Sequence, residues 1–181
     1  MRYVYALINL FIITSLLHSC VYASPITAQG TVEVFFSPQG GATDAIVKVL
    51  GVARKEILIQ AYTITDSNII NALVQAKKRG VKVEVILDFE HAEVDGSIFT
   101  FDNNGIPVFV DAEHLRNHDK VMIVDRTTVI TGSFDFTREA ETANIENLLV
   151  IKGNLALVEK YLGNYSEHFR HSRPYIRSSV K

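Results

Sequence analysis

The chain has 181 residues, of which 48% are hydrophobic and 21% charged. That is enough for one globular domain with a real core, and it excludes an intrinsically disordered segment. The formal net charge of −2 excludes binding of nucleic acid by bulk electrostatics, so any such contact must come from a local basic surface.

Residues 1–23 read as a targeting segment. Arg2 gives a short positive start, Val4 to Leu17 is almost wholly apolar, and Val21-Tyr22-Ala23 puts small residues at the −3 and −1 positions before Ser24. The apolar stretch is short for a membrane span. The expected product is therefore a periplasmic or secreted chain of residues 24–181, a single domain with no stable membrane span. Leu17-His18-Ser19-Cys20 loosely matches a lipoprotein cleavage site, but His18 fits that site poorly and cleavage after Ala23 is preferred. That cleavage removes Arg2 and no acid, so −2 becomes −3, and it removes Cys20, the one cysteine. The core must then hold without a disulfide.

Beyond the leader, strand and helix patterns alternate. Thr31 to Phe36 is a strand, broken by Ser37-Pro38-Gln39-Gly40-Gly41. Ala42 to Arg54 is helical, with Ile46, Val49, Leu50 and Ala53 on one stripe. Ile57 to Tyr62 is a buried strand, and Asp66 or Ser67 caps a helix running to about Arg79 and stopping at Gly80. Val81 to Leu87 is a strand; residues 89–104 are less regular, with a helix around Ser97 to Asn103. Ile106 to Val110 is a short strand, and Asp111 to Asn117 a polar loop. The apolar run Val121-Met122-Ile123-Val124 is a strand buried on both faces, and Thr127 to Thr131 pairs with it as a hairpin. Asn147 to Ile151 is a further strand, and Leu155 to Phe169 an amphipathic helix. The alternation implies an α/β sandwich around a largely buried sheet, in one domain.

The chemistry concentrates at residues 118–133. In a strand, residues i and i+2 face the same way. His118 and Lys120 therefore project together, a nucleophile or acid beside a cation suited to a phosphate oxygen, while Asp119 points away. Ser133 could donate a hydrogen bond to the same phosphate, and Arg116 could steer a polyanion. Asp125 either organises the site or begins a hairpin turn at Asp125-Arg126.

His118, Lys120, Asp125, Gly132 and Ser133 fit the pattern H-x-K-x4-D-x6-G-S, and the chain resembles the phospholipase D superfamily. The likeness is closest to its small secreted bacterial endonucleases, which carry the motif once. Ile57 to Tyr62, Ala72-Leu73 through Lys78 to Val81, Val83 to Asp88, Asn103 to Val108 and Glu146-Asn147 extend it over about residues 30–170. The resemblance implies an α-β-α sandwich with a mixed, mostly buried central sheet. It implies a phosphohistidine formed on one histidine while a second protonates the leaving oxygen. With one motif per chain, the second histidine must come from a second copy in a symmetric dimer. It further implies that Glu146 orients the histidine and that Gly132 and Ser133 help bind phosphate. The chain departs at Asp135, where the family has asparagine in Gly-Ser-x-Asn: an ionised carboxylate cannot donate to phosphate. Protonation, pairing with Lys120 and weakened activity are the open outcomes.

The function expected is a phosphodiesterase that needs no metal or other cofactor, acting on DNA or RNA without sequence preference. The alternatives are a lipid phosphodiesterase of the phospholipase D type and a catalytically impaired nucleic-acid-binding module. Other residues take plainer readings. Gly40-Gly41 lacks the lysine and Ser/Thr of a phosphate loop and reads as a turn. His168-x-x-His171 has metal-compatible spacing without a visible partner cluster and reads as a solvated helix end. His91 and His114 read as loop residues near the site, and Arg170, Arg173, Arg177 and Lys181 as a basic tail.

Overall fold

Runs rich in Val and Ile build the centre of one sheet. The computed structural model describes residues 25–92, 96–111 and 113–175; the proposed leader, Arg177 and Lys181 lie outside them. The strands are β1 (Thr31–Phe36), β2 (Glu56–Ala61), β3 (Lys82–Asp88), β4 (Val108–Asp111), β5 (Lys120–Val124), β6 (Thr128–Gly132), β7 (Asn147–Lys152) and β8 (Ser172–Pro174). The helices are α1 (Ala42–Val52), α2 (Ser67–Lys78), α3 (Phe89–Ala92), α4 (Ser97–Asn103), α5 (Arg138–Thr142) and α6 (Leu155–His171). The strands lie in the order β1-β7-β6-β5-β2-β3-β4-β8. β2, β3 and β4 are parallel, and every other neighbouring pair is antiparallel. The sheet is mixed, as expected of an α/β sandwich.

Alternation along the strands sorts residues onto two faces. Ile57, Ile59, Val83, Val85, Met122 and Val124 join the core packed by α1 and α2, including Ile46, Leu50, Ile69 and Leu73. Leu58, Ile86, Val121, Ile123 and Val129 face the other way, onto Val158, Leu162 and Tyr165 of α6. Burying each of these α6 aliphatic side chains stabilises the fold by about 1.5–3 kcal/mol. The Tyr165 hydroxyl reaches Glu84 at 2.8 Å, so this buried acid has a donor; burial and Glu84 both push the Tyr165 phenol up. Asp66 caps α2, accepting from the amides of Asn68 at 2.8 Å and Ile69 at 3.1 Å.

Element boundaries differ from the sequence expectation by a residue or two, and three elements were not expected. α3 and α5 are single short turns, and β8 adds three residues antiparallel to the β4 edge. The N-terminus of α1 is closed by Glu141, whose carboxylate accepts from the amides of Gly41 at 3.0 Å and Thr43 at 2.8 Å. Those amides are therefore not free for phosphate, in keeping with a turn at Gly40-Gly41. Among the described residues no helix is long and apolar enough to cross a membrane.

Candidate active site

β5 runs antiparallel to β2, so its first residues emerge where β2, β3 and β4 end. His118 and Lys120 sit at that sheet edge, where loops from several strands converge. They meet around a residue the sequence reading did not single out, Tyr62. The His118 ring lies 4.9 Å from the Tyr62 ring, and Lys120 Nζ is 5.4 Å from the same centroid, within cation–π range. His118 is exposed, and among the described residues its ring makes no hydrogen bond. It is free to meet a substrate.

Lys120 is buried, with only 7% of its side chain exposed. Nζ donates to the His118 carbonyl at 3.1 Å and lies 3.1 Å from Asp135 Oδ1. The second contact is an ion pair off hydrogen-bonding geometry, and it leaves that buried oxygen without a hydrogen-bond donor among the described residues. Of the outcomes open for Asp135, the structure shows the pairing with Lys120. The fully buried Phe134 and Phe136 flank Asp135 in the chain and anchor its backbone beside Lys120. The Lys120 charge is thus already partly neutralised.

Ser133 reaches the site through a bulge. Its amide and that of Phe134 both donate to the Asn147 carbonyl, at 3.1 and 3.2 Å, so two residues of one strand face one of the next. Gly132 makes this approach possible: a Cβ there would lie 2.2 Å from the Asn147 carbonyl oxygen. The Ser133 hydroxyl donates to Glu146 Oε2 at 2.5 Å and accepts from the Asn147 amide at 3.1 Å and side chain at 3.2 Å. Its capacity is fully used, so it must release Glu146 before it can donate to phosphate. Glu146 also accepts from Asn144 at 3.3 Å, and within one chain no hydrogen bond joins it to the His118 ring among the described residues. Ser37 supports this corner, accepting from the Glu146 amide at 3.1 Å. The side-chain amide of Asn147 is a donor that the sequence reading passed over.

Asp125 does not join these residues. It follows β5 at the far end from His118, roughly 23 Å away at about 3.3 Å per residue. Asp125 and Arg126 both take left-handed backbone conformations, with φ of 53° and 55°, in a turn closed by the Thr127 amide on the Val124 carbonyl at 3.1 Å. The Asp125 carboxylate accepts from the amides of Arg54, Lys55 and Glu56 at 2.9, 2.7 and 3.1 Å. Burial would raise this carboxyl, but the three amides outweigh it and hold it below the usual range. Of the two readings the sequence left open, the hairpin turn is the one the fold realises.

Arg116 stands at the rim, paired with Glu90 at 2.8 Å and reaching the Tyr62 hydroxyl at 3.4 Å. Beside His118 a groove of about 360 Å³ runs along α6, lined by Asp119, Val121, Thr131, Lys160, Tyr161 and Asn164. The reading of His168 and His171 as a solvated helix end is corrected by the structure. Both rings are largely buried and converge with His114 on Asp111.

Fold and site together define a phosphodiesterase of the phospholipase D superfamily, and the chain belongs to it. The family described as "Cardiolipin synthase, PLD-like domain" matches residues 46–172. The chain is 38% identical to "Phospholipase D" of Rickettsia typhi over 145 residues, covering 80% of this chain and 71% of that protein. It is 37% identical to "Mitochondrial cardiolipin hydrolase" of Chlamydomonas reinhardtii over 103 residues, which cover 46% of that protein. Among solved structures it resembles Nuc, a phospholipase D family member from Salmonella typhimurium. The TM-score is 0.77 at 38% identity, covering 82% of this chain and all of that one. NucT from Helicobacter pylori shares the fold, with a TM-score of 0.74 at 22% identity.

Proposed function

We propose that the chain is an endonuclease that cleaves nucleic acid through a phosphohistidine, at a site shared by two copies. The observation that carries this reading is His118 itself, exposed and unbonded beside Lys120, and present once per chain. In the proposed reaction an imidazole nitrogen of His118 attacks phosphorus, and the bond from phosphorus to the leaving oxygen breaks. The partner's His118 gives that oxygen its proton. Now neutral, it takes a proton from water, whose oxygen displaces His118 and releases the phosphate product. Lys120 offsets charge on a non-bridging oxygen, and none of these steps draws on a metal ion.

Two features support sharing. A single chain supplies one of the two histidines required. Val32, Val34 and Phe36 form an exposed apolar strip on β1 that ends beside Asn147, next to the nearly bare Ile145. Such a strip at a sheet edge suits an isologous contact that would bring two His118 rings together.

Nucleic acid is favoured over lipid by the groove, where Lys160 can meet a phosphate and Tyr161 can stack on a base. The names of the Rickettsia and Chlamydomonas relatives favour a lipid phosphodiester instead. Plasmid DNA, RNA and phosphatidylcholine vesicles, each with chelator and with the parent or His118→Ala protein, separate these readings. Cleavage of nucleic acid alone, surviving chelator and lost in His118→Ala, is expected. Turnover of vesicles alone would move the assignment to lipid, and no turnover at all would leave an impaired binding module. We further propose that residues 1–23 are removed on export to the periplasm or medium, which N-terminal sequencing of the mature protein tests.

A further inference from the structure

Away from the site, three histidines and one carboxylate from separate parts of the chain meet at a single point. Asp111 ends β4, His114 lies in the loop after it, and His168 and His171 occupy the last turn of α6. Asp111 is buried, with 3% of its side chain exposed. Nδ1 of His114 lies 2.9 Å from Asp111 Oδ2, Nδ1 of His168 lies 3.3 Å from the same oxygen, and Nδ1 of His171 lies 3.3 Å from Oδ1. The three rings are nearly equidistant, with centroids 5.1, 5.1 and 5.2 Å apart. One ligand atom from each residue falls within 4.8 Å of all the others.

The geometry points to a divalent-metal site of the zinc type, built from Asp111, His114, His168 and His171. A tetrahedral ion with bonds of about 2.0–2.1 Å has ligand-to-ligand edges of roughly 3.3–3.4 Å. On Asp111 Oδ2 the His168 contact matches that edge and the His114 contact is a few tenths shorter, while His171 meets the other oxygen; the four ligand atoms, within 4.8 Å of one another, would draw together on the ion. Hydrogen bonding satisfies part of the cluster, with Nδ1 of His114 and of His168 both on Asp111 Oδ2, but buried Nδ1 of His171 has no hydrogen-bond partner among the described residues. With neutral imidazoles protonated on Nε2, the three Nδ1 atoms, each within 3.3 Å of the Asp111 carboxylate, are available as ligands and one carboxylate oxygen completes the set. Imidazole-rich sites with one hard ligand favour Zn²⁺ over Mg²⁺ or Ca²⁺. Four protein ligands close the coordination sphere, which marks a structural ion, not one that activates water.

The ion would tie the end of α6 to β4 and to the loop that leads into His118. That loop is pinned further on by the Asn117 amide on Asp88 at 2.9 Å. The cluster is three strands from Lys120 in the sheet, roughly 14 Å at about 4.8 Å per strand. It is therefore separate from the reacting groups, and its failure would leave the proposed phosphodiester chemistry standing.

The test uses the chelator-stripped mature protein and added ZnSO₄, with Co²⁺ as a spectroscopic probe. One equivalent should bind, Co²⁺ should give the intense visible bands of four-coordinate geometry, and the melting temperature should rise by roughly 5–10 °C at a hundredfold excess of zinc over Kd. His171→Ala and His168→Gln should each lose affinity by at least about a hundredfold and abolish the Co²⁺ bands, while His118→Ala should keep both. No stoichiometric binding by the parent protein, six-coordinate Co²⁺ spectra, or unchanged binding in both cluster variants would overturn the assignment. Because the first two readouts use the parent protein, a variant that fails to fold does not rescue the idea.

Discussion

Replacing Asp135 by Asn probes the one position where this site departs from its family. The carboxylate lies 3.1 Å from Lys120 Nζ, so a phosphate held by the far side of that ammonium sits roughly 6 Å from it. Two unit charges at that distance repel by about 3 kcal/mol at an effective dielectric of 20 and by under 1 kcal/mol at that of water. Asp135 is 27% exposed, which places the interaction between these limits, at about 1–2 kcal/mol. Asn is isosteric, cannot neutralise Lys120, and brings an amide donor. Asp135→Asn is therefore expected to raise kcat/KM for a phosphodiester by roughly 5- to 30-fold. The gain should shrink as salt is raised from 20 to 500 mM. Steady-state cleavage of a short fluorogenic oligonucleotide measures it. Equal kcat/KM at every salt concentration, or a loss of activity, would refute the electrostatic reasoning and show that the carboxylate holds Lys120 productively.

Asp125→Ala should lower stability by about 2 kcal/mol, since three amides lose a charged acceptor, yet leave the specific activity of folded protein unchanged; urea unfolding alongside the cleavage assay checks both. The Asp125 carboxyl is held low in the fold. Its contribution is complete above the unfolded value, near 3.9, and is lost as pH falls through the lower folded value. Asp125→Asn should accordingly flatten the acid limb of the stability profile below about pH 4, and an unaltered limb would contradict this. His118→Ala should lose activity by at least about a thousandfold with an unchanged melting temperature, because the exposed ring supports no hydrogen bond within the fold. Tyr165→Phe should cost about 1–2 kcal/mol by removing the hydroxyl donor to Glu84 Oε1, read from thermal melts.

Much of the fold was legible because its core strands are short apolar runs bounded by turn residues. The β5–β6 hairpin followed from Val-Met-Ile-Val and Thr-Thr-Val-Ile-Thr, and Asp66 declared the start of α2. β8 could not be read: three residues containing a proline carry no periodicity, and their partner strand β4 is distant in sequence. The motif shows how linear spacing misleads. The hairpin returns Gly132 and Ser133 to the end of the sheet that carries His118, while Asp125, between them in sequence, sits at the turn. Strand geometry alone places seven residues roughly 23 Å apart, so that separation was available beforehand. Tyr62 and Asn147 fall within segments that carry the family likeness, but only the alignment of strand ends shows that they reach the site. Asp111 and His168, 57 residues apart, meet only when the last turn of α6 lies over the β4 edge.

The central claim is that one chain holds half of the catalytic centre, and mixing measures it directly. Parent and His118→Ala chains are unfolded, combined in varying ratio at fixed total concentration, and refolded, and cleavage is recorded against the parent fraction f. If both protomers must contribute His118, activity follows f², so an equal mixture retains about a quarter of full activity. A linear dependence, with half retained, would show that each chain is complete in itself and would contradict the shared site.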